Sequence, residues 1–179
     1  MMAIEKRVAF IGSRDLEEVP KASVKAFMDA VTYYAPKGYV MRTGAAPGAD
    51  QLAAYKFLKL GGTVEFYVPW VAFEQRWLYE MRLKFGDRVA GNIGPSEEGI
   101  KSVYEHHPNP HSLREYPLKL LARNYDIVKD CKLVIAIPRP PELGGTSQAM
   151  RVARALSIRV INASTEEGVN QIKELLGQE

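Results

Sequence analysis

Cysteine is almost absent from this 179-residue chain: Cys131 stands alone, which excludes an intrachain disulfide and any cysteine-based metal cluster within one chain. Long apolar runs are also missing. No stretch approaches the length of a membrane span, and the opening MMAIEKRVAFIG has too short an apolar run, and no small-residue cleavage site, to read as a signal peptide. A cytoplasmic, reducing location and no membrane partner are therefore expected. Charge of one sign is never gathered into a block. The net charge of +3 is scattered, which permits an anionic ligand without requiring nucleic acid. The histidines His106, His107 and His111 lie in a proline-containing run, EHHPNPH, without the partner spacing of a zinc site, so no metal and no resident cofactor are expected.

What is present is an alternation of two hydrophobic periods. Arg7–Ile11 is a continuous apolar run ending at Gly12, the signature of a strand buried on both faces. Pro20 opens a helix with Val24, Phe27, Met28, Val31 and Tyr34 along one stripe. A strand at Tyr39–Arg42, a helix carrying Leu52, Ala53, Phe57 and Leu60 and closed by Gly61 and Gly62, and a strand at Thr63–Val68 follow. Trp70, Phe73, Trp77, Met81 and Phe85 keep helical spacing. From Gly86 to Pro117 the sequence reads as an irregular insertion or lid. Regular structure resumes with a helix carrying Leu121 and Ile127, a strand at Lys132–Ile137, a helix marked by Ala149, Met150, Ala153 and Leu156, a strand at Arg159–Asn162, and a last helix opened by Ser164–Glu167 as a capping box.

This order predicts a single α/β domain over residues 1–179: a Rossmann-like, doubly wound, mainly parallel sheet of about five strands flanked by helices, with an irregular insertion at about 86–117. Ligands of such sheets lie outside the carboxyl ends of the strands. Three loops meet that condition. Gly12, Ser13 and Arg14 follow the first strand, and Arg14 offers a fork of N–H donors suited to phosphate. RTGAAPGAD, from Arg42 to Asp50, is the second. Gly44 and Gly48 permit unusual backbone angles, Ala45 and its neighbours leave the main chain uncovered, and the following helix points unpaired N–H groups at the loop. The third is PRPPELGGT, where Gly144, Gly145 and Thr146 open a helix and the Thr146 hydroxyl either caps it or turns to an anion.

These motifs together carry a resemblance. VAFIGSR, RTGAAPGAD followed by QLA, a strand ending YVPW, the pair Arg123–Asn124 in ARNYDIV, and VIAIPRPPELGGT resemble the SLOG superfamily, and within it the YspA-like group. The match covers both ends of the chain and leaves out the stretch from about Gly86 to Pro117. It implies a Rossmann-like sheet binding a nucleotide or nucleotide-derived ligand, with Gly12, Ser13, Arg14, Gly44, Ala45, Gly48, Asp50, Arg123, Asn124, Gly144, Gly145 and Thr146 as the binding set. The superfamily also includes the LOG phosphoribohydrolases, which cleave the N-glycosidic bond of nucleoside monophosphates, and DprA, which binds single-stranded DNA. The hydrolases place a glutamate in the helical turn after the glycine-threonine motif. This chain has Ser147, Gln148 and Ala149 there.

Glycosidic hydrolysis needs a group to activate water or trap the sugar cation, and Asp50 and Glu142 are the candidate catalytic carboxylates. Asp50 has an equal structural reading, as an aspartate that caps free N–H groups and holds the glycine loop in shape. Trp70 and Tyr125 could stack on a base or belong to the core. Helical periodicity alone would turn Arg123 toward solvent. The expected partner is thus a nucleotide or another phosphorylated small molecule, with a nucleotide N-glycosidase and a DprA-like DNA binder as the alternatives. The DNA reading is disfavoured by the scattered charge. The Trp70–Phe85 segment offers an apolar face that either joins a homo-oligomer or packs within one chain.

Overall fold

The computed structural model describes residues 6–140 and 144–177. Its strands are β1 (Arg7–Gly12), β2 (Val40–Thr43), β3 (Thr63–Val68), β4 (Val89–Ile93), β5 (Leu133–Ile137) and β6 (Arg159–Asn162). The helices are α1 (Lys21–Tyr34), α2 (Ala49–Lys59), α3 (Gln75–Phe85), α4 (Glu97–His106), α5 (Glu115–Val128), α6 (Gly145–Ala155) and α7 (Glu166–Leu176). All strands pair in parallel in one six-stranded sheet of order β4-β3-β2-β1-β5-β6. The chain builds outward from β1 to β4, then returns to place β5 on the other side of β1. The direction of winding therefore reverses between β1 and β5, and the loops that leave those two strands diverge and open a crevice.

Strand alternation divides the core into two layers. Val8, Phe10, Met41, Phe66, Ile135 and Ile161 pack against α1, α2, α3 and α7 through residues such as Phe27, Phe57, Met81 and Ile172. Ala9, Ile11, Val134 and Ala136 face the other way, onto Ile127 and Val128 of α5 and Met150 and Ala153 of α6. The small alanines on this second face let α5 and α6 approach the sheet closely beside the crevice. No helix among the described residues is long and apolar enough to cross a membrane.

The sheet has one strand more than its sequence signature suggests, and it lies in the stretch read as irregular. Residues 86–117 contain β4, all of α4 and the start of α5. Strand β4, VAGNI, pairs only with β3 and exposes all but its first residue, so it lacks the apolar run by which a central strand is recognised. Helix α4 is opened by Ser96, whose hydroxyl accepts the Gly99 N–H, and the same side chain donates to Asp126 of α5. That buried aspartate also accepts the Ser96 N–H at 3.0 Å and thereby ties the β4–α4 turn to the second layer.

Two helix starts differ from expectation. Thr165, not Ser164, caps α7 by accepting the Gly168 N–H, because Ser164 is held back by Asn162 Oδ1, which accepts both its N–H and its hydroxyl. The helical spacing begun at Trp70 becomes a helix only at Gln75. Trp70 and Phe73 occupy the preceding turn, their rings edge to face at 5.5 Å.

Candidate functional site

At the switch point lies a cavity of about 430 Å³, of a size suited to a mononucleotide-sized ligand. Its walls come from the loop after β1 (Gly12, Ser13, Arg14, Asp15), from Ala46 and Asp50, from Arg139 after β5, from the start of α6 (Gly144, Gly145, Thr146), and from α5. Helix α5 supplies Arg123 and Asn124 together with an apolar wall of Leu120, Leu121 and Ile127, which Ala149 of α6 extends.

Of the residues expected from sequence, Gly12, Ser13, Arg14, Asp50, Arg123, Asn124, Gly144, Gly145 and Thr146 meet at this cavity, whereas Gly44, Ala45 and Gly48 do not line it. Those three shape the wall from behind. Gly48 has φ +91°, and a Cβ there would come within 2.5 Å of the Ser13 and Arg14 carbonyl oxygens. A Cβ on Gly44 would lie 2.8 Å from the Arg123 guanidinium carbon and 2.9 Å from Asp50 Oδ2, so only glycine lets those two charged groups close around the loop. Ala45 holds φ +62° with its carbonyl accepting from Gln51, whose amide also reaches Glu74.

Asp50 is almost fully buried, and its carboxylate accepts from the N–H groups of Gly12 at 3.1 Å and Ala46 at 3.3 Å. It therefore joins the loops after β1 and β2 and holds the glycine loop in shape, but not as a helix cap, since the N-cap of α2 is Gly48 and no side chain caps it among the described residues. Burial pushes its carboxyl above the usual range, while Arg123 and the N–H groups of Ala46, Gly12 and Gly44 pull it down. Arg123 is buried too, contrary to its position in the helical periodicity. Its Nη1 donates to the carbonyls of Gly44 at 2.7 Å and Tyr67 at 2.8 Å, binding the ends of β2 and β3 to α5. Burial lowers its pKa to about 10, which leaves it a cation at neutral pH, with Asp50 opposing the shift and Arg14 adding to it. Asn124 accepts from Arg123 Nε and donates to the Gly145 carbonyl and to Gln148, setting α6 against α5.

The anion-binding potential thus falls elsewhere than the glycine loop alone suggests. Two of the first three N–H groups of α2 are already engaged: Ala49 donates to the Ser13 carbonyl at 3.0 Å and Gln51 to the Ala46 carbonyl at 3.2 Å. Helix α6 starts at the cavity wall with Gly144 as its N-cap, and among the described residues neither Thr146 nor any other side chain caps it. The N–H groups of that first turn have no acceptor within the helix. Arg14 and Arg139 both line the crevice, each two residues beyond a member of the register pair Gly12–Ile137, and Arg139 lies 3.9 Å from the Glu18 carboxylate in an exposed ion pair. Both are exposed at the rim, and Arg14 also lies 5.9 Å over the Phe73 ring, which Arg123 approaches at 5.2 Å. Arg139 is absent from the expected set, although its place immediately after the strand adjoining β1 mirrors that of Arg14. The apolar wall of α5 was equally missed, since Leu120 and Leu121 carry no signal that separates a ligand surface from core. Trp70 and Tyr125 do not line the cavity. Glu142 lies outside the described residues.

No family model and no curated protein matches the chain. Solved structures do match. The molybdenum cofactor carrier protein of Chlamydomonas reinhardtii superposes with a TM-score of 0.55 at 14% identity, over 96% of this chain and 85% of its own. The protein TM1055 superposes with a TM-score of 0.55 at 16% identity, over 94% of this chain and 81% of its own. DNA processing protein A (DprA) of Streptococcus pneumoniae gives 0.59 at 18% identity, over 97% of this chain but 58% of its own. At these identities the likeness is one of fold. Together with its own all-parallel sheet, that likeness gives the chain a Rossmann-like α/β architecture.

Proposed function

We propose that the crevice binds a nucleotide or nucleotide-derived ligand, its phosphate held between the first turn of α6 and the rim arginines Arg14 and Arg139. The observation that carries this reading is the meeting, at the switch point, of two cations, an apolar wall and a helix start that no described side chain caps. Phosphate suits the N–H groups and the guanidinium forks. A flat ring suits Leu120, Leu121, Ile127 and Ala149. That one neighbour is by name a carrier of a cofactor supports a binding role for such a fold.

Binding ranks above glycosidic hydrolysis because Asp50 is committed to backbone N–H groups and is poorly placed to activate water. The test is a thermal-shift series with nucleoside mono- and diphosphates and cyclic nucleotides, run on the wild type and on Arg14→Ala. A saturable rise in melting temperature that Arg14→Ala weakens supports the reading, and no shift with any of them removes it. Release of free base from a nucleoside monophosphate, absent with Asp50→Asn, would put hydrolysis in its place.

A further inference from the structure

The opposite end of the sheet carries a second cleft, of about 350 Å³, lined by Tyr33, Tyr34 and Lys37 around the end of α1, Tyr39 before β2, Lys132 and Leu133, Arg159, and Leu175 of α7. It lies at the amino ends of the strands, away from the crevice described above. Its composition is unusual for a connection between layers. Tyrosine rings gather there, Tyr33 against Tyr34 at 5.0 Å and Tyr34 against Tyr39 at 4.8 Å, all edge to face. Lys132 directly precedes β5, and Arg159 opens β6 in register with Leu133, so neighbouring strands deliver two cations to one concave surface.

No carboxylate is among the described residues that line this cleft. On the other face of the sheet the cations are paired. There, Arg7 and Arg42 share Glu65, at 3.3 Å and 2.9 Å, so each has a carboxylate partner. Lys132 and Arg159 make no ion pair with any described residue. Lys6 adds a third cation nearby, 5.9 Å over the Tyr39 ring. Lys132 and Arg159, with no counter-charge among the described residues, raise the local concentration of anions at this concave surface. Burial also pushes the Tyr34 phenol up to about 12, which keeps it a neutral O–H donor beside Arg159. Phenol and guanidinium donors set around a cavity of this size match the oxygens of a phosphate.

We propose that this cleft is a second anion site, built by Lys132, Arg159, Tyr34 and Tyr39, for a small molecule bearing a phosphate or diphosphate group. Its position makes it independent of the switch-point crevice, so both can be occupied at once.

The test titrates pyrophosphate into the full-length 15N-labelled protein at low salt. Saturable amide shifts are expected at Tyr39, Lys132, Leu133 and Arg159. The exposed pair Lys132→Gln/Arg159→Gln should fold as the wild type does and weaken this binding by roughly tenfold or more, the loss expected when charge-assisted hydrogen bonds to an anion are removed. Lys21→Gln/Lys101→Gln, with the same loss of charge on distant helices, should leave it unchanged. So should Arg14→Ala, whose effect belongs to the other crevice. Shifts absent at millimolar pyrophosphate, or weakened equally by both lysine-containing pairs, would overturn the proposal. So would a single-stranded oligonucleotide that binds the same residues far more tightly than pyrophosphate does.

Discussion

The carboxylate of Asp50, on the first turn of α2, accepts the backbone N–H of Gly12 at the end of β1 at 3.1 Å. This one bond joins residues 38 positions apart and ties together two loops that sequence reading places only side by side at one sheet edge. It makes the conformation of the GSR turn depend on a side chain that does not belong to it.

Asp50→Ala removes that link and leaves the buried Arg123 cation without its electrostatic partner. Breaking a buried charge pair costs about 3 kcal/mol or more, and the loss should be read as a lower denaturant midpoint at unchanged m-value. If Asp50→Ala retains full stability and loses only ligand affinity, Asp50 faces the ligand and is not a tie between loops.

Arg14 and Arg123 both line the crevice but differ in burial, and their alanine variants should separate accordingly. Arg14→Ala should change stability by less than about 0.5 kcal/mol, as surface substitutions do, while weakening nucleotide binding. Arg123→Ala strands the Gly44 and Tyr67 carbonyls and the Asp50 carboxylate, and should destabilise the protein by roughly 3 kcal/mol. Denaturant melts on the two variants decide it, and equal losses of stability would refute the division.

Gly48 and Gly61 share φ +91°, but only Gly48 has the Ser13 and Arg14 carbonyls where a Cβ would go. Gly61→Ala should therefore cost about 1 kcal/mol, the left-handed backbone penalty alone. Gly48→Ala should cost at least about 3 kcal/mol, because strain at a special backbone angle is joined by a main-chain clash. Hydrogen exchange should also show the GSR turn loosened in Gly48→Ala and not in Gly61→Ala.

Burial pushes the Cys131 thiol from 9.0 to about 12. At pH 8 the native protein should react with a disulfide reagent roughly a thousandfold more slowly than a free thiol, and at the normal rate once unfolded. Linkage adds a sign. The unfolded thiol ionises first, so its contribution to stability is complete below pH 9.0 and is lost as pH rises toward about 12. The stability of wild type relative to Cys131→Ala should fall over that window, and a constant difference would contradict the shift.

Most central elements were legible in the chain because their burial leaves a local trace. Thr63–Val68 and Arg159–Asn162 are strands with the boundaries their apolar patterns predict, and the helix starting after Pro20 begins where proline permits. Strand β4 was not legible, since VAGNI is an exposed edge whose only strand partner is β3, each residue pairing with one 25 positions earlier, as in Val64–Val89 and Val68–Ile93. The glycine loops were visible as loops, but which of their N–H groups remain available was not.

By itself the sequence determined the alternation of strands and helices, the places where backbone must turn tightly, and the arginine beyond the first strand, because these follow from side-chain period and steric freedom over a few neighbouring residues. The tertiary structure decided how those parts are used. It buried Arg123, engaged the start of α2 with the Ser13 carbonyl, brought the start of α6 to the cavity wall, and placed Arg139 and Arg14 at one cavity. Each of these depends on segments far apart in the chain meeting at the reversal between β1 and β5. No local pattern encodes such a meeting, because hydrogen-bond partners are assigned only when the layers close.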